Sequence, residues 1–419
     1  MHKISKIVFF VASPFDKRNF KRFGIDILRS NGFEVFVYDF SPIVYPRLYE
    51  VGVSEPSEYE KHFCFVNKCD AIKAIRELEN DSFVIFFVWY CKQNFWIYKT
   101  FSKKNVPYML LFSGSLPTCR REEYINTNYA LKNFLKRVSR LTIKKIIKKI
   151  VNIPYRHYFA RYLGIRAADL VVLAGAETLN IHRKHIIFGK KTKVLYSPSF
   201  DYNIFLEMKL PKSRNEANPA NAVYLDAGIL NFDGDDLTLE QDPDINMATY
   251  FGGINREKQC SNLRNFFNKV EKETGCIVNI AAHPGYDGSS YPDEFGKRLT
   301  IVDKTMEMVG RSNFVLSHGS TAVGFAVFLR KPIIFLTLNP DEELVGFHLE
   351  RDGNSIEHMA SWFGKVPINI EDYPIDLDWE KELKINEDLY LNYKNSFLIA
   401  KGTEEINSWQ IVANRLKLM

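Results

Sequence analysis

Two intensely apolar runs, Asn313-Phe314-Val315-Leu316 and Phe325-Ala326-Val327-Phe328-Leu329-Arg330-Lys331-Pro332-Ile333-Ile334-Phe335-Leu336, flank a stretch of small residues, Ser317-His318-Gly319-Ser320-Thr321-Ala322-Val323-Gly324. The pattern reads as a buried strand, a turn that opens a helix, and a second buried strand. Strands apolar on both faces need a sheet covered on both sides, which directs the chain toward a parallel α/β architecture. The turn adds a chemical expectation. Ser, Thr and Gly at a helix start present free backbone N–H groups, hydroxyl donors and the positive end of a dipole, the ingredients of a phosphate site. A protein that handles a nucleotide or sugar phosphate is the expectation that follows.

The same alternation runs through the rest of the chain. Ile7 to Val11 reads as a strand, Lys17 to Arg29 as a helix closed by Asn31-Gly32, and Phe33 to Tyr38 as a second strand. A helix around Ala71 to Glu79 follows, then strands at Phe83–Val88, Tyr108–Phe112, Asp169–Leu173 and Lys193–Tyr196. The polar stretch 211–219 reads as a linker, after which the alternation restarts with Val223–Leu225, a helix around Lys258 to Glu273, and Cys276–Ala281. With 419 residues, two domains are expected. The division is 1–210 for a first Rossmann-like domain, 220–375 for a second that holds the nucleotide, and 376–419 for helices that pack back across both. In such sheets ligands bind outside the carboxyl ends of the strands, so the site is expected in the cleft where the two domains face each other.

Composition narrows the function classes. A net charge of +6 does not suggest a dedicated nucleic-acid binder. The 33 Phe and 21 Tyr suit large cores or sugar-stacking surfaces equally. Cys64, Cys69, Cys91, Cys119, Cys260 and Cys276 show neither CxxC spacing nor a short disulfide framework, so reduced thiols and a cytoplasmic location are expected. The apolar start Ile4–Ala12 is short and ends at Ser13-Pro14 without a cleavage pattern, so it reads as a first strand rather than a signal peptide. No run reaches the length of a membrane-spanning helix.

Two further strand ends carry polar residues. In Ile280-Ala281-Ala282-His283-Pro284-Gly285 the histidine ends a strand, where it either donates to a phosphate or is simply a polar loop residue. In Tyr224-Leu225-Asp226-Ala227-Gly228 the carboxylate either acts as general base on an acceptor hydroxyl or caps a turn. His318 either faces a donor or caps its own turn. Ser113 and Ser115, after the strand Tyr108–Phe112, are weaker candidates for acceptor contact.

The ordered set Asp226, His283-Pro284 and Ser320-Thr321 resembles GT-B glycosyltransferases, and more narrowly the bacterial sialyltransferase-like enzymes that use CMP-activated nonulosonic acids or Kdo. Mainly residues 220–340 carry the resemblance. It implies Asp226 as base, and His283, Pro284 and Gly285 with Ser317, His318, Gly319, Ser320 and Thr321 around the CMP phosphate. It also implies a glycan or lipid-linked acceptor in surface polysaccharide synthesis. Ala227 stands where that family has a second acid, so Asp233 in Phe232-Asp233-Gly234-Asp235-Asp236 is a rival base. His-Pro with Ser-Thr is shared with CDP-glycerol polymer transferases and UDP-sugar epimerases, which makes a CDP-glycerol or UDP-sugar enzyme the alternative.

The acidic loop Asp233–Asp236 with Asp242-Pro243-Asp244 lacks the glutamate in register that an EF-hand needs, so no metal and no cofactor are expected beyond the donor. The segment Leu135–Ile150 places Leu135, Val138, Ile143, Ile146, Ile147 and Ile150 on one helical stripe, with Lys144, Lys145, Lys148 and Lys149 opposite. A basic amphipathic helix over about 131–151 suits an anionic membrane surface, where each nearby cation contributes about 1 kcal/mol. The plainer reading is a surface helix with solvated lysines. A membrane-associated scaffold without catalysis is the remaining class.

Overall fold

The computed structural model describes residues 3–51, 57–117, 157–208, 220–227, 256–284, 286, 294–337, 356–372 and 375–419. They form two wholly parallel sheets. The first contains β1 (Lys6–Val11), β2 (Glu34–Asp39), β3 (His62–Cys64), β4 (Ser82–Phe87), β5 (Tyr108–Phe112), β6 (Leu170–Leu173) and β7 (Lys193–Tyr196), in the order β3-β2-β1-β4-β5-β6-β7. Every pairing in it is parallel. The central strand β1 reads Lys-Ile-Val-Phe-Phe-Val because both faces are covered. Val8 and Phe10 enter one core layer, and Ile7, Phe9 and Val11 the other.

The second sheet contains β8 (Asn221–Leu225), β9 (Ile277–Ala281), β10 (Thr300–Ile301), β11 (Phe314–Ser317), β12 (Ile333–Thr337) and β13 (Ile368–Asn369). Their order, β10-β9-β8-β11-β12-β13, is doubly wound and reverses between β8 and β11. The helix Arg256–Thr274 covers one face through Leu263, Phe266, Phe267 and Val270. The helices Thr305–Arg311 and Val323–Phe328 cover the other.

The C-terminal chain joins the two units, as the fold reading expected. Glu387–Tyr393 and a π-helical turn at Lys394–Leu398 pack Tyr390, Tyr393, Phe397 and Leu398 into the second core. The chain then crosses, and Ser408–Lys417 inserts Trp409, Val412, Ala413 and Leu416 into the first. This return explains a departure from the expected helix Lys17–Arg29. The helix is broken into Lys17–Arg22 and Ile25–Ser30 by Gly24, whose φ is 57°. A Cβ at Gly24 would run into the Trp409 ring, so a glycine is required by a partner from the far end of the chain. The expected linker 211–219 and the basic segment 131–151, with Lys144, Lys145, Lys148 and Lys149, lie outside the described residues. Among the described residues no helix is long and apolar enough to cross a membrane.

Trp409 is 1% exposed, meets Phe9 edge-on at 5.6 Å, stacks on Phe200 at 5.9 Å and donates its indole N–H to the Arg22 carbonyl at 2.7 Å. Truncation of a large buried aromatic costs about 3–5 kcal/mol. Trp409→Ala should therefore lower the urea midpoint of the first-domain transition correspondingly, read by far-UV circular dichroism.

Candidate functional site

Register aligns the expected site residues. In β8 and β11 Leu225 pairs with Ser317, and in β8 and β9 Leu225 pairs with Ala281. Three neighbouring strands therefore end level, and Asp226, Ala282-His283 and His318 emerge together. They emerge at the carboxyl edge where the strand order reverses, which is where ligands of open α/β sheets bind.

Asp226 is 7% exposed and occupied. Its backbone N–H donates to the Ala281 carbonyl at 3.0 Å, and its Oδ2 accepts the His283 backbone N–H at 3.0 Å. The carboxylate thus ties the end of β8 to the His-Pro turn. That turn closes on itself, with the Tyr286 N–H on the His283 carbonyl at 2.8 Å, and leaves Pro284 exposed and His283 half-buried. Of the two readings of Asp226, base or cap, the geometry supplies a cap directly. Gly285 and the rival base Asp233 lie outside the described residues.

The Ser-His-Gly-Ser-Thr turn departs from the expectation of free N–H groups. Ser317, fully buried, accepts the N–H groups of Gly319 and Ser320 on its Oγ at 3.2 and 3.3 Å, and Ser320 Oγ accepts the N–H of Ala322 at 3.3 Å. The hydroxyls cap the turn from within, the local habit of serine. Gly319 is required by its φ of 103°. Ser320 is half-buried, and Thr321 stands exposed at the rim.

His318 turns inward. Its Nδ1 lies 3.0 Å from the Tyr224 hydroxyl and the two rings meet edge-to-face at 5.7 Å. Burial pushes the Tyr224 phenol well up, reinforced by Asp226 and Glu294, so the phenol keeps its proton beside Nδ1. Burial alone pushes the His318 imidazole down to about 3. Nε2 is buried and has no hydrogen-bond partner among the described residues. Tyr224 and the 2%-exposed Glu294 belong to this edge, yet neither stood out in the sequence. Tyr224 was legible only as a core residue of an apolar strand.

On the first sheet, Ser113 and Ser115 are both buried just beyond β5. The Ser113 carbonyl accepts the Phe200 N–H at 3.3 Å, and the Ser115 Oγ lies 2.8 Å from His182 Nε2. His182 had no sequence signal. Among the described residues no group of three or more His, Cys, Asp and Glu side chains is placed to hold a metal ion.

No protein-family model matches the chain, and no curated protein matches its sequence. Solved structures resemble its fold at a distance. MurG of Acinetobacter baumannii is 11% identical with a TM-score of 0.44, over 99% of this chain and 100% of that one. The wall teichoic acid polymerase TagF is 11% identical with a TM-score of 0.47, over 99% and 89%. S. aureus MnaA, in a co-structure with UDP, is 11% identical with a TM-score of 0.47, over 99% and 98%.

Two outcomes follow from the geometry. As a cap, Asp226 is replaceable by an isosteric acceptor: Asp226→Asn should leave the melting temperature nearly unchanged. Asp226→Ala, which leaves the His283 amide unpaired, should cost about 1–3 kcal/mol in urea unfolding. Second, a histidine whose folded pKa is lowered contributes stability that is present above its unfolded value near 6.5 and is lost as pH falls toward about 3. His318→Phe should flatten the acid decline of stability between about pH 6.5 and 3 by on the order of a few kcal/mol. An unchanged slope would mean that His318 is solvated.

Proposed function

We propose that this chain is a transferase that moves a glycosyl or glycerol phosphate group from a nucleotide-activated donor to a hydroxyl acceptor. The level ends of β9, β8 and β11 at the point where the strand order reverses carry this reading. They bring His283 and the Ser320-Thr321 turn to one edge, where a departing phosphate gains charge and needs donors already in place.

The carboxylates bear on the choice between the two donor classes. The CMP-sugar reading takes Asp226 or Asp233 as base; Asp226 is buried and accepts the His283 amide on one carboxylate oxygen, and Asp233 lies outside the described residues. The His-Pro and Ser-Thr pair is what this chain has in common with CDP-glycerol and UDP-sugar enzymes. We therefore put a CDP-glycerol or UDP-sugar donor ahead of a CMP-nonulosonic acid or CMP-Kdo donor. The acceptor is a glycan or lipid-linked hydroxyl, with the basic segment 131–151 as a contact for an anionic membrane.

Thermal shift against UDP, CDP and CMP tests the reading, since a ligand that binds only the folded state raises its melting temperature. At 100 times its Kd a nucleotide should add about 2.7 kcal/mol. UDP or CDP should shift the chain more than CMP, and Thr321→Val and His283→Ala should each reduce the shift. A chain that responds to none of the three is not a nucleotide-dependent transferase. A response to CMP alone restores the sialyltransferase-like reading.

A further inference from the structure

Asp226 holds the His283 amide at the second-domain edge, and the first domain offers a second candidate for the proton acceptor. The carboxyl edge of the first sheet holds a different set of groups. His182 ends the helix Thr178–His182, and its ring stacks on Phe112 at 4.5 Å with an interplanar angle of 23°. Its Nε2 meets Ser115 Oγ at 2.8 Å. The helix is placed by the returning chain: the N–H groups of Ala176 and Glu177 donate to the carbonyls of Asn395 and Ser396 at 3.0 and 2.9 Å. A side chain at Gly175 would collide with that backbone. Leu116 and Ile181, the neighbours of Ser115 and His182, pack against the core of the second domain. The Ser–His pair therefore stands where the two domains meet, fixed from three sides.

We propose that Ser115 and His182 form a proton relay that deprotonates the acceptor hydroxyl from the first-domain side. The relay rests on the transferase reading given above. As the acceptor oxygen bonds to the donor's electrophilic centre, the bond from that centre to the leaving nucleotide's phosphate oxygen breaks, and its electron pair departs with the phosphate. The acceptor proton passes to Ser115 Oγ while the Ser115 proton passes to His182 Nε2, so two transfers carry one proton net from acceptor to histidine and the serine is regenerated. Ser115 thereby touches the acceptor, and His182 acts through it.

Imidazoles stand close to His182: the His185 ring lies 6.4 Å from it, and the His157 ring 5.5 Å from His185. Phe112 stacks on His182, and Trp89 meets His185 edge-on at 5.6 Å. Burial, with His185 adding to it, pushes the His157 imidazole down to about 4.

The experiment compares the full chain with Ser115→Ala, Ser115→Thr and His182→Gln. Binding is read as the melting shift with UDP, CDP and CMP. Turnover is read as nucleotide release from the donor whose nucleotide shifts most, with simple alkyl glycosides as acceptor probes. General-base removal typically costs 10²–10⁴ in rate. Ser115→Ala and His182→Gln should lower kcat by about 100-fold or more, with the nucleotide shift and the donor KM within about twofold. Ser115→Thr, which restores the hydroxyl, should keep most of the rate. If His182→Gln fails to fold, the two serine variants decide the matter through one oxygen removed and restored. Undiminished turnover in Ser115→Ala with an intact nucleotide shift overturns the relay alone. A wild-type chain that no nucleotide shifts overturns the transferase reading and the relay with it.

Discussion

The helix Phe200–Glu207 is the joint on which the two sheets depend. Its first residues bind three partners at once. The Phe200 N–H goes to the Ser113 carbonyl of the first domain, and the Ser199 N–H goes to the Leu398 carbonyl of the returning chain at 2.8 Å. Asn203 exchanges two hydrogen bonds with Ser408, at 2.7 and 2.8 Å. On the far side Tyr202 and Phe205 meet Phe328 of the second domain at 5.3 and 5.4 Å. Asp201 sits in the same joint, and a Cβ at Gly324 would lie 2.9 Å from its Oδ2. Burial pushes the Asp201 carboxyl up to about 7, against the opposing pull of Arg22. Gly324 is thus small because two domains close on it.

What was legible in the sequence follows from where the information resides. Strands buried on both faces, such as Ile7–Val11 and Phe314–Leu316, announce themselves by composition, so the α/β class and the strand alternation could be read directly. The edge strand His62–Cys64 and the two-residue strands Thr300–Ile301 and Ile368–Asn369 could not, since they borrow their structure from a neighbour's free edge. The break at Gly24 was equally hidden, because its cause is Trp409. A local pattern records local energetics, whereas a long-range contact leaves only a glycine whose reason is elsewhere.

The candidate site divides the same way. Asp226, His283 and Ser317–Thr321 could be placed at strand ends from the sequence, and register sets three of those ends level. The use each side chain makes of its position was not legible. Whether a strand-end carboxylate faces a ligand or the next strand's amide is decided by how far the neighbouring turn reaches, and here His283 N–H reaches Asp226 first. His182 carried no signal at all, because its partner Ser115 lies on another strand's loop and only the fold brings them to 2.8 Å.

The self-capped turn at Ser317–Ala322 does not argue against a phosphate there, and magnitudes show why. Each serine cap is a neutral hydrogen bond at 3.2–3.3 Å, long for an O···H–N contact and worth about 0.5–1.5 kcal/mol net. Bonds to an ionised oxygen are worth about 1.5–3 kcal/mol. An incoming phosphate that takes over the N–H groups of Gly319 and Ser320 replaces two weak bonds to the Ser317 hydroxyl with two strong ones. For the proposed phosphate, displacing the caps is a small cost, and in its absence they hold the turn in shape. This arrangement favours an anion over a neutral ligand, because a neutral oxygen would gain nothing over the serine that it displaces.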